Sequence, residues 1–70
     1  MAEIEATVTG MVWKLLVAPG DTVAEGDTVA ILEAMKMEMP VEAEQGGTVS
    51  RLLCSEGDPI KEGDGLLELD

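Results

Sequence analysis

Histidine, tyrosine and phenylalanine are absent from this chain of 70 residues, and Trp13 is its single aromatic side chain. That excludes a platform on which bases stack and an aromatic cage for a cationic ligand. With no histidine and with Cys54 as the one cysteine, the chain can build neither a Cys/His metal site nor an internal disulfide. No metal site is expected. A reducing, cytoplasmic setting is expected, or an organellar one if a targeting segment was trimmed away; residues 1–5, Met-Ala-Glu-Ile-Glu, show neither the basic region nor the apolar stretch of a secretory signal. No apolar run approaches the length that crosses a bilayer. Positive charge is scarce as well. Four Lys and Arg against 15 Asp and Glu leave a formal net charge of −11, which repels phosphate backbones and anionic membrane surfaces, so neither nucleic acid nor membrane is an expected partner.

What is present is aliphatic. Hydrophobic residues make up 46% of the chain, enough to fold it, and they are Val, Leu, Ile, Ala and five Met. A chain of this length supports one domain, here residues 1–70, with a thin core and no room for a separate substrate pocket. It also lacks a nucleophile paired with a base and any cofactor-binding loop, so an independent enzyme is not expected.

Displacing the sequence against itself by 37 positions aligns residues 4–33 with 41–70 without a gap, and 12 of the 30 pairs are identical. The chain is a tandem duplication. Each copy carries Gly-Asp, a short β-branched segment, then Glu-Gly-Asp: residues 20–27 and 57–64. These read as paired turns. Strands are expected near Ile4–Ala6, Met11–Val17, Thr22–Val23 and Val29–Ala34, and again 37 residues later, eight in all. Neither copy can bury a face alone. The fold expected is all-β: a pseudo-twofold, flattened barrel-sandwich of two four-stranded antiparallel sheets.

Between the copies, residues 35–44 alternate strictly. Met35, Met37, Met39, Val41 and Ala43 are apolar against Lys36, Glu38, Pro40, Glu42 and Glu44, the period of a strand, and Pro40 forbids a helix. On the preceding strand Ala30, Leu32 and Ala34 are expected to face inward, because their repeat mates Leu67 and Leu69 alternate with Glu68 and Asp70. To place these even positions on one face with the odd Met37, Met39 and Val41, the connecting turn must hold an even number of residues, and two is the simplest count. Ala34 then pairs with Met37, Leu32 with Met39 and Ala30 with Val41, leaving Met35-Lys36 as the turn itself. Asn-Gly or Asp-Gly is the usual choice there, because the central residues often need positive φ. Met-Lys is a locally poor turn, as a functional constraint or tertiary packing can impose.

Glu33-Ala34-Met35-Lys36-Met37-Glu38-Met39 resembles the Ala-Met-Lys-Met attachment motif of biotin carboxyl carrier proteins and the biotinyl domains of biotin-dependent carboxylases. The resemblance extends over the whole chain, since that family shares the duplicated eight-strand fold, the hairpin lysine between the copies and the paired Gly-Asp turns. It implies a non-catalytic carrier. A biotin protein ligase joins biotin to the Lys36 amine; a biotin carboxylase then loads the carboxyl group and a carboxyltransferase unloads it. An ordinary lysine is an ammonium ion at neutral pH, so it needs such a ligase to react. On this reading Met35, Met37, Glu33 and Glu38 are candidates for ligase recognition. The bland alternatives are that Met37 and Met39 fill the core from the inward face, and that Glu33 and Glu38, opposite one another, form a solvated rim. Cys54 stands where the first copy has Val17 and reads as a packing residue.

One feature of some bacterial carriers is missing. Val17–Val29 aligns with Cys54–Leu66 without insertion, so no thumb loop can fold over the biotin. The nearest rival is a lipoyl carrier, which shares the fold but typically shows Asp-Lys-Ala around its lysine; some small domains accept either group. A second rival is the unmodified hybrid motif of membrane adaptor proteins, which lacks the lysine motif and is normally interrupted by long helical insertions.

Overall fold

Each Gly-Asp step closes a four-residue turn of the type that requires a left-handed third residue. Gly20, Gly26, Gly57 and Gly63 have φ of 95°, 91°, 91° and 91°. In every one the aspartate finishes the turn twice. Its amide donates to the carbonyl three residues back (Asp21 to Ala18, Asp27 to Ala24, Asp58 to Ser55, Asp64 to Lys61), and its carboxylate accepts from that same residue's amide at 2.9–3.0 Å.

The computed structural model describes residues 2–70. Its eight strands are β1 (Ala2–Glu5), β2 (Gly10–Leu15), β3 (Thr22–Val23), β4 (Thr28–Ala34), β5 (Met37–Glu42), β6 (Gly47–Leu52), β7 (Pro59–Ile60) and β8 (Gly65–Leu69). They form two antiparallel four-stranded sheets, ordered β1-β8-β6-β3 and β5-β4-β2-β7. Each sheet draws two strands from each half of the chain. The turns tie the halves further: Gly20 and Asp21 exchange backbone hydrogen bonds with Val49, Gly57 and Asp58 with Val12, Gly26 and Asp27 with Ala43, and Gly63 and Asp64 with Ala6, all at 2.7–2.9 Å.

Between the sheets lies the aliphatic core. Val12, Val29, Leu32, Val41, Val49, Leu66, Leu67 and Leu69 are its largest fully buried side chains, joined by Ile4, Val23 and Ile60. Among the described residues no charged or polar residue is buried. Burial of a Val or Leu side chain is worth about 1.5–3 kcal/mol, so this layer supplies most of the drive to fold.

Two details depart from the sequence-based reading. The strands expected to reach Val17 and Cys54 end at Leu15 and Leu52, where both side chains have turned to lie partly buried against the core. Bulges also interrupt the strict alternation, between Val12 and Lys14 and, at the equivalent place, between Val49 and Arg51. The extra residue puts Trp13 and Lys14 on the same outer face, as it does Ser50 and Arg51. Pro40 fits because β5 is an edge strand, where a missing N–H breaks no ladder.

Candidate functional site

The β4–β5 hairpin has the register that its alternation implies: Ala30 pairs with Val41, Ile31 with Pro40, Leu32 with Met39, Glu33 with Glu38 and Ala34 with Met37. Met35 and Lys36 alone form the turn. Their φ values are +52° and +64°, the only positive values outside glycine among the described residues. Two successive left-handed residues match the right-handed twist of the flanking strands. For L-residues other than Gly, Asn or Asp each costs on the order of 1 kcal/mol. That cost persists because the flanking ladder and the Leu32–Val41 core hold the strand ends together.

Both side chains stand in solvent, Met35 being 93% exposed. Among the described residues the one ion pair joins Arg51 to Glu68, so the Lys36 ammonium is held by none. Lys14 lies 5.6 Å from the centre of the Trp13 ring, and Lys61 sits in a Gly-Asp turn, paired through its backbone with Asp64. Lys36 is thus the lysine carried at the tip of a protruding element. A cleft lies elsewhere, along β1, the end of β5 and the loop after it, lined by Glu5, Glu42, Glu44 and Glu62.

Met37 is not the core residue its alternation suggests. It is 58% exposed, and its partner Ala34 is only half-buried. The two-residue period gives the side a residue faces but not whether anything covers that side. The fully buried layer ends at Leu32 and Val41, and the hairpin continues past it. Met39, one pair below, is half-buried. Glu33 and Glu38 lie opposite each other, both exposed, at the root of the tip.

Gly10 is a further residue of the site, unremarked in the reading of the chain. A Cβ there would overlap the carbonyl oxygen of Glu33 and sit 3.1 Å from the Ala34 Cβ, so its bareness lets β2 brace the base of the hairpin. Its recurrence as Gly47 was the available signal.

Residues 1–69 match the family described as "Biotin-requiring enzyme". The chain belongs to this family. Within the family, it is 46% identical over 42 residues to the biotin/lipoyl attachment protein of Bacillus subtilis, a match covering 60% of this chain and 58% of that protein. It is 61% identical over 36 residues to the methylmalonyl-CoA carboxyltransferase 1.3S subunit of Propionibacterium freudenreichii, covering 51% of this chain and 29% of that one. The crystal structure of Kluyveromyces lactis urea carboxylase superposes on 99% of the chain with a TM-score of 0.91 and 39% identity, using 6% of that enzyme. These similarities therefore span only part of each relative, little of it in the large carboxylase.

Lys36 stands exposed at the hairpin tip, with no ionic partner among the described residues. Cys54 is no competitor. Its thiol is half-buried, donates to the Leu66 carbonyl at 3.7 Å, and is pushed to a higher pKa by burial and, secondarily, by the Asp58 carboxylate.

Proposed function

We propose that residues 1–70, built of the two repeats 4–33 and 41–70, act as a biotin carrier domain whose attachment point is Lys36. The observation that carries this is the tip itself: an exposed lysine in a two-residue turn whose backbone is left-handed at both positions. Attachment forms an amide. The Lys36 nitrogen bonds to the carboxyl carbon of an activated biotin, the activating group leaves with its bonding electrons, and the nitrogen's surplus protons pass to solvent. One positive charge is lost, taking the formal net charge from −11 to −12. Biotin so held accepts a carboxyl group at a biotin carboxylase site and gives it up at a carboxyltransferase site. The domain contributes no catalytic group; it contributes effective concentration, since tethered biotin cannot diffuse away. Carboxylase subunits are its working partners, in the cytoplasm. A biotin protein ligase installs the group by reading Met35, Met37, Glu33 and Glu38.

The test is intact mass after co-expression with a biotin ligase. One biotin per chain is expected, and none on Lys36→Arg, whose guanidinium cannot form the amide. Streptavidin capture of the Lys36→Arg protein would overturn the assignment. Lipoylation is the second reading, favoured by the dual name of the Bacillus subtilis relative. It predicts a lipoyl mass increment on incubation with a lipoate ligase.

A further inference from the structure

The duplication supplies an internal control for the outer faces of the two sheets. On the face away from the lysine hairpin, one row across the strands reads Glu3, Glu68, Arg51, with Glu68 and Arg51 in an ion pair. The equivalent row on the hairpin sheet reads Pro40, Ile31, Lys14, with no pair possible. The neighbouring rows differ in the same sense. Thr22 pairs with Thr48 on the far sheet, where Pro59 pairs with Met11 on the hairpin sheet. At the bulges, Ser50 bonds back to the Glu68 carbonyl, whereas Trp13 is 39% exposed and lies beneath Lys14. The same backbone thus folds with polar residues at these positions, so folding does not demand the apolar ones. An apolar stripe with no structural requirement marks a contact surface.

That stripe runs along the outer face of the sheet that ends in Met35-Lys36, and Glu33 and Glu38 adjoin it on the lysine side. We propose that it docks the biotin protein ligase, through a complementary surface with an apolar centre and basic side chains facing Glu33 and Glu38. The inference rests on Lys36 being the attachment point. The ligase is favoured over the carboxylase subunits on chemical grounds. Those subunits can bind the biotin itself, but the ligase meets an unmodified domain and must recognise protein surface. A second copy of the chain is disfavoured by bringing together two bodies of formal charge −11.

The repeat also chooses the test variants. Met11→Thr with Trp13→Ser gives the hairpin face the residues that already serve at Thr48 and Ser50; Thr48→Met with Ser50→Trp does the reverse on the far face. With purified biotin ligase, the first should lower kcat/KM for biotin incorporation about tenfold, chiefly through KM, the loss expected on removing a buried apolar anchor. The second should change nothing. Pro59→Thr, at an exposed edge, is expected to act in the same direction should the double variant fold poorly. Parent-like rates in both Met11→Thr/Trp13→Ser and Pro59→Thr would overturn the proposal, as would unchanged ligation with slowed carboxyl transfer, which assigns the face to a carboxylase subunit. A parent dimer that Trp13→Ser dissociates without slowing ligation would assign it to a second copy. Labelling of Lys36→Arg would instead overturn the attachment site; a blank there with a parent-like double variant overturns only the docking face.

Discussion

The backbone N–H of Val12 donates to the carbonyl of Asp58 at 2.9 Å, binding a core strand of the first half to a turn of the second. The reverse contact, Val49 to Asp21 at 2.8 Å, repeats it from the other side. Each half therefore completes the turns of the other and covers its apolar face. Peptides comprising residues 1–36 and 37–70 should each be unfolded alone, with no β signal in far-ultraviolet circular dichroism at micromolar concentration. A folded spectrum from either would contradict this interdependence.

Gly10 and Gly47 are repeat mates with different surroundings. A Cβ at Gly10 would overlap the Glu33 carbonyl oxygen, a clash that backbone must move to relieve, whereas one at Gly47 meets the Asp70 carbonyl oxygen at 3.1 Å, which a shift of a few tenths of an ångström relieves. Gly10→Ala is expected to cost at least about 2 kcal/mol more than Gly47→Ala in urea unfolding, the scale of an overpacked site.

Leu32 is fully buried and Met35 almost fully exposed, three positions apart on one hairpin. Leu32→Ala should cost about 2–5 kcal/mol by cavity formation. Met35→Asn should instead gain about 0.5–1 kcal/mol, because asparagine tolerates the left-handed turn. If the ligase reads Met35, the stabilised variant is biotinylated more slowly. A destabilised Met35→Asn would show that the turn is not strained as described.

Burial and the Asp58 carboxylate both disfavour the thiolate of Cys54. Its pKa is raised in the folded state, so this group's contribution to stability is full below the unfolded pKa and falls as pH rises through the folded one. Disulfide-exchange labelling of the native protein should be slow at pH 8 relative to the urea-unfolded chain and should keep accelerating into more alkaline solution. Equal rates in both states would mean that the thiol is not shielded. Cys54→Val, the residue of the first copy, should cost less than about 1.5 kcal/mol.

Much of the hairpin was legible because parity is a strong constraint. Once Leu32 and Met39 must share a face, the turn between them must be even, and the simplest even count, two, leaves Met35-Lys36 as the turn, as the register has it. Parity carries no information on where the opposing sheet stops, so Met37 looked like core and stands in solvent. It also assumes unbroken alternation. The bulges at Trp13 and Ser50 break it, and nothing in β-branched content or turn chemistry marks them; with them went the shared outer face of Trp13 and Lys14. The Gly-Asp turns were readable as turns, but that each is completed by the other copy depends on how two halves interleave, a long-range matter that local pattern cannot encode.

The pseudo-twofold has one more consequence. The pairing of Leu32 with Met39 at the hairpin corresponds to that of Leu69 with Ala2, where the first and last strands meet. A twofold carries a point to the far side of its axis, so Lys36 lies across the body from residues 2 and 69. In a molecule 31 Å long, any polypeptide joined at that end becomes a fulcrum, and the sandwich is the rigid spoke between it and the lysine. The sweep of the side chain is then set by the length of the whole domain as much as by its own methylenes.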